Sequence, residues 1–192
     1  MTELAEAPVR TFVTRLLGVH TDEWARRVGA KGEEKVGDQL SRLGPEWHVL
    51  HAVEVGAHGR DMDHVVIGPP GVITVNTKRI PGGEASVMAH MVMVDGRRTE
   101  HLRASRFGAN RATQLLSAAC GRRVAATAAI VFVDLDAFTM KEMPLDVHVT
   151  TLRRLVPWLT SLPTSLGPDD VADIFATARL STTWLPPSAS EN

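Results

Sequence analysis

Apolar positions in the first third of the chain recur at helical spacing. From Thr21 the segment TDEWARRVGAKGEEKVGDQLSRLG sets Trp24, Val28, Val36, Leu40 and Leu43 near one stripe. Thr21 is the expected N-cap, Asp22 and Glu23 occupy the first turn, and Gly44-Pro45 is the stop. Gly29 and Gly32 are the points at which this stretch can divide into two helices. Glu33 breaks the pattern: it lies three and seven residues before Val36 and Leu40, so a continuous helix aims its carboxylate toward the apolar face. Glu34, about 100° further round, is the ordinary solvent-facing acid.

The pattern then changes to strands: WHVLHAVEV from Trp47, DMDHVVIG from Asp61 and GVITVNTK from Gly71. Gly68-Pro69-Pro70-Gly71 is too short for a crossover, so the second and third strands form an antiparallel hairpin. A further pair is expected through Ala85 to Val94, turning at Asp95-Gly96 after the loop PGGE. Beyond it, SRFGANRATQLLSAAC reads as helix, VAATAAIVFVDL as a buried strand, DVHVTTL as a short strand and TLRRLVPWLTSL as a helix despite Pro157. PDDVADIFATARL, with Pro168 in its first turn, is the last helix, and WLPPSASEN after Thr183 reads as a frayed tail. Strands with helices before and after them predict an α/β fold, a single domain with a central mixed β-sheet flanked by helices.

Composition narrows the class. Across 192 residues, 44% hydrophobic and 22% charged content is that of an ordinary folded domain. The single cysteine, Cys120, excludes an intramolecular disulfide and a thiolate zinc cluster and points to a reducing, cytoplasmic compartment; a small buried residue is its expected role. No segment approaches the roughly 20 apolar residues of a membrane helix, and Met1 to Arg15 lacks the order of a signal peptide. A net charge of -1 leaves any attraction for a polyanion to a local patch. One candidate is RRTEHLRASRFGANR, where Arg97, Arg98, Arg103, Arg106, Arg111 and His101 are offset only by Glu100. It reads equally as a solvated helix face or as a phosphate-binding segment.

Strand parity sorts the hairpin into faces. Asp61, Asp63, Val65 and Ile67 share one face of the second strand, and Val72, Thr74, Asn76 and Lys78 one face of the third. Asp63 can therefore converge with Asn76 and Lys78, and Glu33 can join them from the helix. Oxygen donors of this kind suit a hard divalent cation, and a lysine ammonium suits charge developing on a phosphate. His64 falls on the opposite face from Asp63, as a core histidine; His48 and His51, three apart on a strand, point to opposite faces and make no zinc pair. Gly82-Gly83 reads as a turn, and Gln114 as a solvated helix residue.

VGAKGEEKVGDQL and RDMDHVVIGPPGVITVNTKRIPGG resemble the nuclease-related (NERD) domain: a Gly-x-x-Gly-Glu opening, then Asp-His, Gly-Pro, Gly-Val and Thr-Lys followed by glycine. The likeness extends more loosely to Leu159, and the Asn-Thr-Lys form is similar to the actinobacterial branch. It implies a restriction-endonuclease-like core of the PD-(D/E)XK superfamily. It also implies catalytic roles for Glu33, Asp63 and Lys78, metal ligation by Asp63 and Asn76, and weakly held Mg²⁺ or Mn²⁺. The superfamily has an acid two residues before the lysine; this chain has Asn76, whose amide oxygen can ligate but brings no charge. The expected organisation is an N-terminal extension over 1–20, a NERD-like domain over 21–160, and a C-terminal helix and tail over 161–192. The expected partner is nucleic acid, DNA before RNA, and a homodimer is compatible with the fold. The expected function is a metal-dependent nuclease; the alternatives are a catalytically silent nucleic-acid-binding module and a partner-binding scaffold.

Overall fold

Val65, Val66 and Ile67 are consecutive and all wholly buried, so the strand that carries them is covered on both faces. The computed structural model describes residues 29–55 and 62–185. Thr21, Trp24, Val28 and Asp61, and the expected N-terminal extension, lie outside those residues. A helix, α1, runs unbroken over 29–40 through Gly32. Then come β1 (His48–Val53), β2 (Met62–Gly68), β3 (Gly71–Arg79), β4 (Glu84–Met88), β5 (Met91–Val94), β6 (Arg97–Thr99) and α2 (His101–Cys120). The order closes with β7 (Ala126–Val133), β8 (Ala137–Met140), β9 (Val147–Thr151), α3 (Leu152–Ser161), α4 (Pro168–Ala178) and α5 (Ser181–Trp184).

The main sheet has the order β1-β2-β3-β7-β9, antiparallel from β1 to β3 and parallel from β3 to β9. Odd residues of β3 and β7, with Val66 of β2, pack against Val36 and Leu40 of α1 and Leu155 and Leu159 of α3. On the other face Val65, Ile67 and Val72 meet Ala112, Leu115 and Leu116 of α2 and Val171 and Ile174 of α4. The mixed α/β architecture follows from this pattern of burial on both faces.

A second sheet, β6-β5-β4-β8, was only partly foreseen. Asp95-Gly96 does form a turn, with φ of 49° and 73°, the doubly positive geometry of a tight hairpin. It joins β5 to β6, however, while β4 and β5 meet through Ala89-His90. The expected pair is thus a three-strand meander, and β8 adds to β4 in parallel. This sheet covers Leu102 and Ala109 of α2 together with Ile130 and Phe132 of β7. The C-terminal expectation also needs correction: Trp184 is 3% exposed and its indole N–H donates to the Ala178 carbonyl, so the packed chain extends past Thr183. Aromatic burial with a satisfied donor overrides the tail-like composition around it. No helix among the described residues is long and apolar enough to cross a membrane.

Candidate active site

β3 is longer than its partner on one side. The β2–β3 ladder stops at His64 opposite Val75, whereas β3 runs on to Arg79 and keeps β7 as its other neighbour. The strands part where Asn76, Thr77, Lys78 and Arg79 begin. At this split Asp63 acts in place of a strand carbonyl: its Oδ2 accepts the Thr77 backbone N–H at 2.6 Å. A charge-assisted bond of this length holds the carboxylate against β3. Across β2 on the other side, Ala52 of β1 adopts a φ of 49° between the paired residues His51 and Val53, so the kink in β1 falls beside Asp63.

Asn76 and Lys78 have the parity of Val72 and face α2, as does Asp63 with the parity of Val65 and Ile67. The structure therefore brings Asp63, Asn76 and Lys78 together on one face, with the Lys78 ammonium 3.5 Å from the Asn76 amide oxygen. Lys78 is opposite Phe132 in the β3–β7 register, and the His101 ring lies 6.2 Å from Phe132 at the start of α2. Burial, helped by the charge of Lys78, lowers the His101 pKa to about 4, so its imidazole is neutral beside the ammonium. In the sequence His101 was visible only as part of a basic run; nothing there linked it to Lys78.

Glu33 arrives from the other face. α1 packs on the side of Thr77 and Arg79, and Gly32 makes that approach possible: a Cβ there would lie 2.8 Å from Arg79 Cβ and 3.2 Å from Thr77 Cγ2. The Glu33 carboxylate turns back toward Gly29, its Oε1 3.9 Å from where a Cβ would stand. It is half-buried, on the side of the sheet that α1 covers. On the same face Asp134, which follows β7, bonds both Lys35 of α1 and Arg79 of β3 at 2.5 Å. Those two cations hold its carboxyl below the ordinary range.

His64 is a core residue, 2% exposed, its Nδ1 2.8 Å from Nδ1 of His51. Burial and the neighbouring His51 lower its pKa to about 4, and its Nε2 is buried without a hydrogen-bond partner among the described residues. His48 instead stacks on Phe175 on the far face. The arginine segment divides between two elements. Arg97 and Arg98 are exposed on β6, Arg103 pairs with Glu100, Arg106 makes a bidentate pair with Asp146 at 2.6 and 2.8 Å, and Arg111 is half-buried on α2. Gln114 is exposed, Cys120 is partly buried against the α2 core, and Gly82 and Gly83 form a turn.

A lysine and an acid on one face of the sheet at a split between strands, with a Gly-Glu pair on the covering helix, coincide with a family match: the nuclease-related domain, over residues 28–133. The chain belongs to the NERD family. The match covers more than half of the 192 residues and contains α1 through β7, so the split between β2 and β3 falls within it together with α1 and α2, while β9, α3 and α4 lie beyond it. No curated protein and no solved structure matches the chain.

Proposed function

We propose that this NERD domain hydrolyses phosphodiester bonds with the help of a divalent cation, DNA being the substrate to test first. What supports it is the shared face of Asp63, Asn76 and Lys78 where β2 and β3 part, with Asp63 held by the Thr77 N–H and Lys78 3.5 Å from the Asn76 oxygen. Asp63 and Asn76 are both oxygen donors, which suits Mg²⁺ or Mn²⁺; with one formal charge between them, waters and phosphate oxygens must supply the remaining ligands. Such a cation, when bound, would polarise the phosphate and acidify a water. Lys78 would offset negative charge on the phosphate oxygens as it builds. The Thr77 N–H fixes the Asp63 carboxylate in direction, and Glu33 would buttress the site from α1. Arg97, Arg98, Arg103, Arg106 and Arg111 would hold the polynucleotide backbone.

A second reading rests on one specific feature. Asn76 is an amide, so with Asp63 it brings one formal charge instead of two. That favours a module that binds nucleic acid without cutting it. Cleavage of labelled oligonucleotides with Mn²⁺ separates the two. Cutting by the wild type that is lost in Asp63→Asn supports the enzyme. A silent wild type with active Asn76→Asp supports a lapsed nuclease, and silence in both, with binding retained, leaves the binding module.

A further inference from the structure

α2 buries Leu102, Ser105, Ala109, Ala112 and Leu116, and the opposite side of the helix carries Phe107, 66% exposed. A lone exposed aromatic is ordinary on a protein surface. Its neighbours are what set Phe107 apart. Arg103 lies one turn before it and Arg111 one turn after, at i−4 and i+4, so the ring stands between two guanidinium groups in a row. Exposed Asn110 flanks the same row. Among the described residues Arg103 is paired with Glu100, and both are largely exposed, so that pair is weak and exchanges readily for a phosphate.

We propose that this outer face of α2 is a track for single-stranded nucleic acid, with Phe107 stacking one unpaired base and Arg103 and Arg111 meeting the phosphates on either side. This rests on the nucleic-acid reading given under Proposed function and names the form of its substrate. Charge selects the class of partner, since arginines at successive turns of one face match a polyanion. The ring selects the strand state. Bases in a duplex are paired and stacked, so an aromatic side chain reaches a base face only where the strand is unpaired. A second copy of the chain fits poorly, because a two-fold contact through this face would set arginine against arginine. Phe107 is six residues from His101, about 9 Å along the helix axis and about 120° round it, and His101 packs at the start of α2 with its ring 6.2 Å from Phe132, the residue opposite Lys78.

The test is fluorescence anisotropy with the whole chain in EDTA, so that binding is read apart from cleavage. The probes are labelled oligo(dT) of about 15 nucleotides and a blunt hairpin duplex. Phe107→Ala should weaken oligo(dT) binding about five-fold or more, leave the salt slope unchanged and barely alter duplex binding; Phe107→Trp should restore affinity. Arg111→Ala should lower the salt slope by about one. Unchanged oligo(dT) affinity in Phe107→Ala, or an equal loss on the duplex, overturns the stacking role while leaving the nuclease reading intact. A wild type that binds neither probe removes both. A change in the sedimentation of Phe107→Ala without nucleic acid assigns the face to a second copy instead.

Discussion

The two halves of β3 have opposite environments. From Val72 to Val75 the strand has a partner on each side, and Val72, Ile73, Thr74 and Val75 are all buried. From Asn76 to Arg79 its ladder partner among the described residues is β7, and Asn76, Lys78 and Arg79 are half-buried polar residues. The first half holds two layers of helix to the sheet. The second half presents the polar groups of the candidate site, beyond the point where its ladder with β2 ends. One consequence is that changes in the first half should cost stability and changes in the second should cost activity.

Ile73→Ala should have the largest effect. Ile73 is 2% exposed within the core shared with α1 and α3, and truncation there should cost about 2–5 kcal/mol by urea denaturation. A cost below about 1 kcal/mol would mean that this half is not the anchor. The next effect is acid lability at His64, the residue opposite Val75. Its folded pKa of about 4 is below the ordinary 6.5, so the unfolded chain binds the proton first. Its share of stability is therefore complete above about pH 6.5 and is lost as pH falls toward about 4. The slope should approach 1.4 kcal/mol per pH unit for this proton, and His64→Leu should flatten the stability–pH curve in that window.

Gly32 and Gly37 test the helix over each half. A Cβ at Gly37 would meet His51 at an ordinary 3.5 Å, whereas one at Gly32 would strike Arg79 Cβ at 2.8 Å. Gly37→Ala should stabilise by up to about 1 kcal/mol through helix propensity, while Gly32→Ala should lose that gain to a packing cost of about 1–3 kcal/mol. Equal melting temperatures for the two variants would contradict the close approach at the strand end. The smallest stability effect is expected at Lys78→Met, within about 0.5 kcal/mol. Removing the ammonium should also raise the His101 pKa above about 4, since one of its two causes is gone and burial remains. Titration of the His101 ring by NMR measures the shift, and an unmoved pKa would separate His101 from the Lys78 site.

Local signals carried much of the fold. The hairpin of β2 and β3, the buried run of β7 and the Pro168 start of α4 were readable because each is written in adjacent residues: a turn-rich connection, a period of burial, a cap position. β8 was not readable: its four residues are only partly buried, and they become a strand by pairing with β4, some fifty residues earlier. Trp184 was misread for the same reason, since its burial depends on α4 and the α2 core rather than on its neighbours in sequence.

What the sequence determined by itself is the set of functional groups and their parity. Asp63, Asn76 and Lys78 must share a face once the hairpin registers, because side chains alternate along a strand and a turn sets the register. Only the tertiary structure decided that β2 pairs with β3 from His64 onward and not before it, that Asp63 takes the Thr77 N–H, that α1 brings Glu33 from the opposite face and that His101 packs on Phe132, opposite Lys78. Those facts are contacts between elements far apart in the chain, fixed by how helices and sheets share a core. Periodicity names the face a residue occupies, but it does not say what will be standing opposite.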